Sequence, residues 1–246
     1  MKNTNRINTL LLFLLLFCYQ GIAANYLCFT AEQTGSKVWY VNGSGNKPDM
    51  QYSYNGESWS DWPAQTAITL ERIGDKVYVR GNNPKGFSHE GLYGGETDIN
   101  SKKCTYFQMK GTIAASGSVM SLIDGEGITT DIPCEYCFYW LFADCTSLTT
   151  PPELPSLEMK YGCYNGMFFR CGNLRETPKL PATKLAGFCY GNMFAYCSNL
   201  TVAPELPATT LESSCYTNML AGTSITEAPE LPAINLKYGC YSNMFA

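Results

Sequence analysis

One segment recurs along the second half of the chain. Cys163-Tyr-Asn-Gly-Met-Phe-Phe-Arg-Cys-Gly-Asn-Leu returns at Cys189 as Cys-Tyr-Gly-Asn-Met-Phe-Ala-Tyr-Cys-Ser-Asn-Leu, starts again at Cys215 and Cys240, and is degenerate at Cys137. The spacing is 26 residues three times and 25 between Cys215 and Cys240. A fixed period of this length predicts a solenoid whose units bury their apolar faces against one another. Surfaces of that kind bind or space things apart and seldom catalyse.

Within each unit the sequence has two rhythms. Cys163, Met167, Cys171 and Leu174 stand at i, i+4, i+8 and i+11, which predicts one apolar stripe of a short helix. The segments Pro152-Glu-Leu-Pro155, Pro178-Lys-Leu-Pro181, Pro204-Glu-Leu-Pro207 and Pro229-Glu-Leu-Pro232 follow. Paired prolines forbid helix and leave extended chain, with the central Leu pointing inward. The expected fold is therefore a β-rich, sandwich-like N-terminal domain followed by an α/β leucine-rich-repeat-type solenoid. The boundaries read as a leader domain over 25–122, a linker or cap over 123–136 and about four units plus a partial fifth over 137–246. The last unit breaks off at Ala246, seven residues in, and a chain continuing into further units is expected.

The first half alternates with period two. Ile68 and Leu70 share one face with Thr69 and Glu71 on the other, Gly74-Asp75 supplies a turn and 76–80 alternates again, so 67–80 is expected to form a hairpin. Residues 36–41 and 103–110 are further strands, and 81–95 reads as a surface loop. Together these predict a small sandwich.

Lys2 and Arg6 precede the apolar run Leu10–Cys18, and small residues close the segment at Ala24, the order of a secretory signal peptide over 1–24. Phe17 stands where a lipoprotein signal wants a small residue before Cys18, so lipidation is not the expectation. The run is short for a stable span, and no later segment is apolar enough for one. The chain is expected to be exported, to the cell surface or beyond. Cleavage removes two basic and no acidic residues, leaving 15 Lys+Arg against 21 Asp+Glu, a net charge of −6. With no basic run, nucleic acid is not an expected partner.

Eleven of the 12 cysteines follow the signal peptide. In an exported chain this would imply disulfides. Cys137, Cys163, Cys189, Cys215 and Cys240 occupy one repeat position, however, and Cys145, Cys171 and Cys197 another. Stacked units put neighbouring sulfurs about one strand spacing apart, too far for an S–S bond, so buried thiol ladders are expected. Cys134-Glu-Tyr-Cys137 is a CxxC without the second pair or histidines a zinc site needs and without a thioredoxin-type pattern. His89, the single histidine, lies in a Gly/Ser-rich stretch with no catalytic spacing around it. Glu153, Glu205 and Glu230 recur at one repeat position and read as a solvated row, not a glycosidase pair. No enzyme activity, cofactor or metal is expected.

Tyr52, Tyr54, Trp59 and Trp62 are the candidate ligand-contact residues, since exposed aromatics on a β face can stack on sugar rings or anchor proteins. Most of them could equally form the sandwich core. Residues 53–59 look like the compact turn of an Asp-box.

The order Met-Phe-x-x-Cys-x-x-Leu followed by Leu-Pro resembles the unit of BspA-like leucine-rich-repeat surface proteins of bacteria. The segments 52–59 and 74–81 resemble the leader domain that precedes such repeats. The resemblance covers about 137–246; its departures are a longer period, Met167, Met193, Met219 and Met244 in place of Ala, and Thr223 in place of a Cys. It implies surface display and non-catalytic adhesion to an extracellular protein or glycan of a host or neighbouring cell. The alternative is a carbohydrate-binding module built on the N-terminal aromatics.

Overall fold

The structure, a computed structural model, describes residues 24–43, 47–88 and 104–246. The signal peptide, Cys18 and His89 lie outside the described residues. Among the described residues nine strands form two sheets: β1 (Leu27–Ala31), β2 (Ser36–Val41), β3 (Gln51–Ser53), β4 (Ser60–Asp61), β5 (Ile68–Leu70), β6 (Lys76–Arg80), β7 (Tyr106–Lys110), β8 (Ile113–Ser116) and β9 (Leu148–Thr150). The larger sheet runs β4-β3-β6-β1-β8-β9 and the smaller β5-β2-β7. Phe29 of β1 meets Phe107 of β7 edge to face at 5.1 Å between ring centroids, joining the two sheets through one apolar core.

The expected hairpin over 67–80 does not form. β5 pairs with β2, whereas β6 pairs with β1 and β3 in the other sheet. The alternation itself is correct, with Ile68, Leu70, Val77 and Val79 all buried. Two half-buried strands facing one core look the same in sequence whether the turn joins neighbours or crosses between layers.

The expected α/β solenoid is also not what forms. Among the described residues the regular secondary structure is nearly all β-strand, and the one helix is α1 (Ser121–Asp124). Residues 137–246 are turns and extended chain, with one strand, β9, and isolated bridges such as Glu158↔Lys184↔Thr210. The physical reason is backbone conformation. Left-handed φ values fall every fourth residue, at Gly162 (58°), Gly166 (60°) and Arg170 (58°), then at Phe188 (55°), Asn192 (54°) and Tyr196 (63°). One left-handed residue in four closes successive i→i+3 turns, such as Asn165 N–H to Gly162 O at 3.0 Å and Phe169 N–H to Gly166 O at 3.0 Å, and prevents a helix. The apolar period of four is the turn period.

The alternate N–H groups point to the next unit. Gly162, Tyr164, Gly166, Phe168 and Arg170 donate to the carbonyls of Gly187, Cys189, Gly191, Met193 and Ala195 at 2.8–3.1 Å. This register repeats between each pair of successive units and holds side chains of the same repeat position over one another. Phe142, Phe168 and Phe194 stack at 5.6 Å, and Tyr164, Tyr190, Tyr216 and Tyr241 at 5.6–6.1 Å. The last unit leaves Ile234, Leu236, Tyr238 and Phe245 exposed.

The sheets begin this pile. β8 pairs in parallel with β9, and Phe107 N–H and Ser88 N–H donate to Leu141 O and Cys137 O at 2.7 and 3.1 Å. Phe107 stacks on Phe142 at 5.2 Å, so the phenylalanine row starts inside the β layers. One continuous buried cluster runs from Leu27 to Met244.

Asp124 pins the chain where it leaves α1. Its carboxylate accepts N–H bonds from Glu126, Gly127, Ile128 and Thr129 at 2.6–2.9 Å. Partial burial opposes ionisation, but these four donors outweigh it and hold the carboxyl below its ordinary value of 3.8. The stability this adds is present above pH 3.8 and is lost as pH falls through the lowered folded value. Asp124→Ala is expected to cost about 2 kcal/mol at pH 7 and progressively less below pH 4, measured by urea unfolding at several pH values.

Candidate functional site

Three groups of residues could carry function: the N-terminal aromatics, the cysteine rows and the proline-flanked segments. The four aromatics belong to β3, β4 and their connections, but they do not form a binding platform. Trp62 is 2 % exposed and its indole N–H donates to Thr66 O at 2.8 Å. Tyr52 is half-buried and meets Tyr54 and Trp62 at interplanar angles of 82° and 64°. Trp59 is half-buried, with Tyr26 edge-on at 4.7 Å and the Arg80 guanidinium over its ring at 4.1 Å. Only Tyr54, 60 % exposed, offers a largely open ring. Ser53 and Asn55 close the compact turn over 53–59: Ser53 Oγ accepts from Gly56 N–H at 2.9 Å, and Asn55 Oδ1 from Ser58 N–H at 2.9 Å.

The cysteines of both rows are buried thiols. In one row Cys145, Cys171 and Cys197 donate S–H to the carbonyls of Phe107, Phe142 and Phe168 at 3.1–3.2 Å, each on the preceding layer. Thr223 takes the next position of the row, but its hydroxyl donates to Leu220 O of its own unit at 2.8 Å. In the other row Cys137, Cys163, Cys189, Cys215 and Cys240 pack in the core. Burial pushes Cys163, Cys197 and Cys215 up to about 12, and raises Cys137, Cys171 and Cys189 well above 9.0. These are structural thiols with no nucleophilic form at neutral pH. The stability they add as neutral groups is complete below pH 9 and drains as pH rises toward about 12. Iodoacetamide at pH 8 is expected to leave the repeat cysteines unmodified in the folded protein and to alkylate them all in guanidinium, counted by mass spectrometry. Cys134 and Cys137 of the CxxC are both buried, and Cys137 Sγ accepts the Phe87 N–H at 3.5 Å. Among the described residues no group of three or more His, Cys, Asp or Glu is arranged to hold a metal ion.

The proline-flanked segments carry the feature that sequence reasoning missed. Leu154, Leu180 and Leu206 are buried and anchor three of the segments by their middles, whereas Leu231 of 229–232, expected to point inward, is 37 % exposed. The first prolines of these segments, Pro152, Pro178 and Pro204, are buried as well, so Pro155, Pro181 and Pro207 form the ridges, and an open groove of about 560 Å³ lies between 151–155 and 176–181. A second, of about 410 Å³, lies between 203–207 and 229–232, two units further on. Five of the ten residues lining the first groove and four of the eight lining the second are prolines, with glutamates on the walls. The signal was in plain view as Pro-x-Leu-Pro at fixed spacing, but a groove needs two segments side by side.

No protein-family model, curated protein or solved structure matches this chain. No helix among the described residues is long and apolar enough to cross a membrane.

Proposed function

We propose that this chain is an exported, non-catalytic interaction protein, displayed at the cell surface or released, which binds an extracellular macromolecule through its repeated face. The observation that carries this reading is the recurrence of a proline-ridged groove at repeat-equivalent positions. The framework behind those grooves is rigid, because every unit is tied to the next by a row of backbone bonds and stacked rings. The titratable groups with strongly shifted values are buried thiols and tyrosines inside the stack, where no substrate reaches, so they serve packing and not chemistry. The signal-peptide pattern of residues 1–24 supports export. Purified protein applied to arrays of extracellular proteins and glycans tests the reading. Retention on one or a few proteins, competed by soluble protein, is the expected result. Retention on glycans alone, lost in a folded Trp59→Ala variant, would instead favour sugar binding by the aromatics.

A further inference from the structure

The two grooves are alike in shape but not in charge. The matching wall positions hold Glu153, Lys179, Glu205 and Glu230. In the first groove Glu153 accepts a 2.6 Å bond from Asn25 Nδ2, and Lys179 stands on the opposite wall. Glu176 also lines this groove, so Lys179 offsets one of its two carboxylates. The second groove carries Glu205 on one wall and Glu230 on the other, both exposed, and no basic residue lines it. Its four prolines have no N–H to offer, so half of its lining residues supply no backbone donor. The proline rings and Ala203 supply apolar walls, and Val202 is 70 % exposed beside them.

An anion or a neutral sugar matches this surface poorly. A chain that carries donor-only cations on an apolar, extended backbone matches it well. We infer that the groove between 203–207 and 229–232 docks an extended, positively charged segment of a partner protein, its Lys or Arg side chains paired with Glu205 and Glu230. This rests on the interaction reading above and names the partner's chemistry.

The probe is an end-capped ten-residue peptide alternating arginine with valine, titrated by fluorescence anisotropy at low and physiological ionic strength. Binding that weakens with salt is expected, and Glu205→Gln/Glu230→Gln is expected to weaken it about tenfold. A matched change away from the groove, Glu158→Gln/Glu212→Gln, removes the same net charge and is expected to leave affinity within about twofold. Both double variants should unfold at the wild-type temperature. Absence of binding at low ionic strength overturns the inference, as does equal binding of a peptide with glutamate in place of arginine, or equal loss in the two double variants. If an array partner retains the wild type and Glu205→Gln/Glu230→Gln equally, the interaction reading stands and the groove assignment falls.

Discussion

Phe168→Ala is expected to destabilise the protein by about 3–5 kcal/mol, the cost of emptying a fully packed aromatic site. Phe168 has no exposed surface, and its ring lies between Phe142 and Phe194, each 5.6 Å away and within 4° of parallel. Backbone bonds fix the neighbouring units from both sides, so the site cannot collapse to fill the space. A denaturant midpoint lowered at unchanged slope is the expected signature. A loss below about 1 kcal/mol would mean that the rings are not packed as a continuous row.

Gly166→Ala is expected to cost about 2–4 kcal/mol, although the change adds a single methyl group. Gly166 sits at φ 60°, and an added Cβ would overlap the Trp140 indole of the preceding unit. Trp140 is buried and stacked on Phe169 at 5.9 Å, so it has little room to yield. Gly172→Ala is the matched control. Its backbone is not left-handed, and the nearest atom to a new Cβ, Ser198 Oγ, is 3.6 Å away. That variant is expected to be neutral or slightly stabilising. Equal effects at the two glycines, measured by the same unfolding experiment, would contradict the turn geometry.

Much of the first half was legible because its strands alternate in an ordinary way. β2 occupies Ser36–Val41 as the sequence reading placed it, and β7 falls inside the span 103–110. What alternation could not report was which sheet a strand joins, and so β5 and β6 read as a hairpin although they lie in different sheets. In the repeats the period was clear but its cause was misread. A helix stripe drifts by 40° for each i+4 step, whereas Cys163, Met167 and Cys171 keep strictly to fours. That strictness was the sign of turns. It was masked because several left-handed positions hold Trp140, Arg170, Phe188 and Tyr196 in place of glycine. Their conformation is imposed by the stack and not by intrinsic preference. Trp62 shows the same limit for the candidate site, since nothing in its neighbourhood of sequence distinguishes a core tryptophan from an exposed one. The grooves depend on adjacency between segments 25 or 26 residues apart, which only stacking in register supplies.

The central claim is that β layers and repeat units share one core and form one rigid framework behind the grooves. Native-state amide hydrogen exchange tests it most directly. Phe107 in β7 and Phe142 and Phe168 in the first two units all donate their N–H groups across layers, to Leu141, Met167 and Met193. If the framework is one body, these amides exchange with the same opening free energy and the same denaturant dependence. Exchange of Phe142 and Phe168 at a clearly lower free energy than Phe107, with a smaller denaturant slope, would show that the repeats open apart from the β layers and contradict the claim.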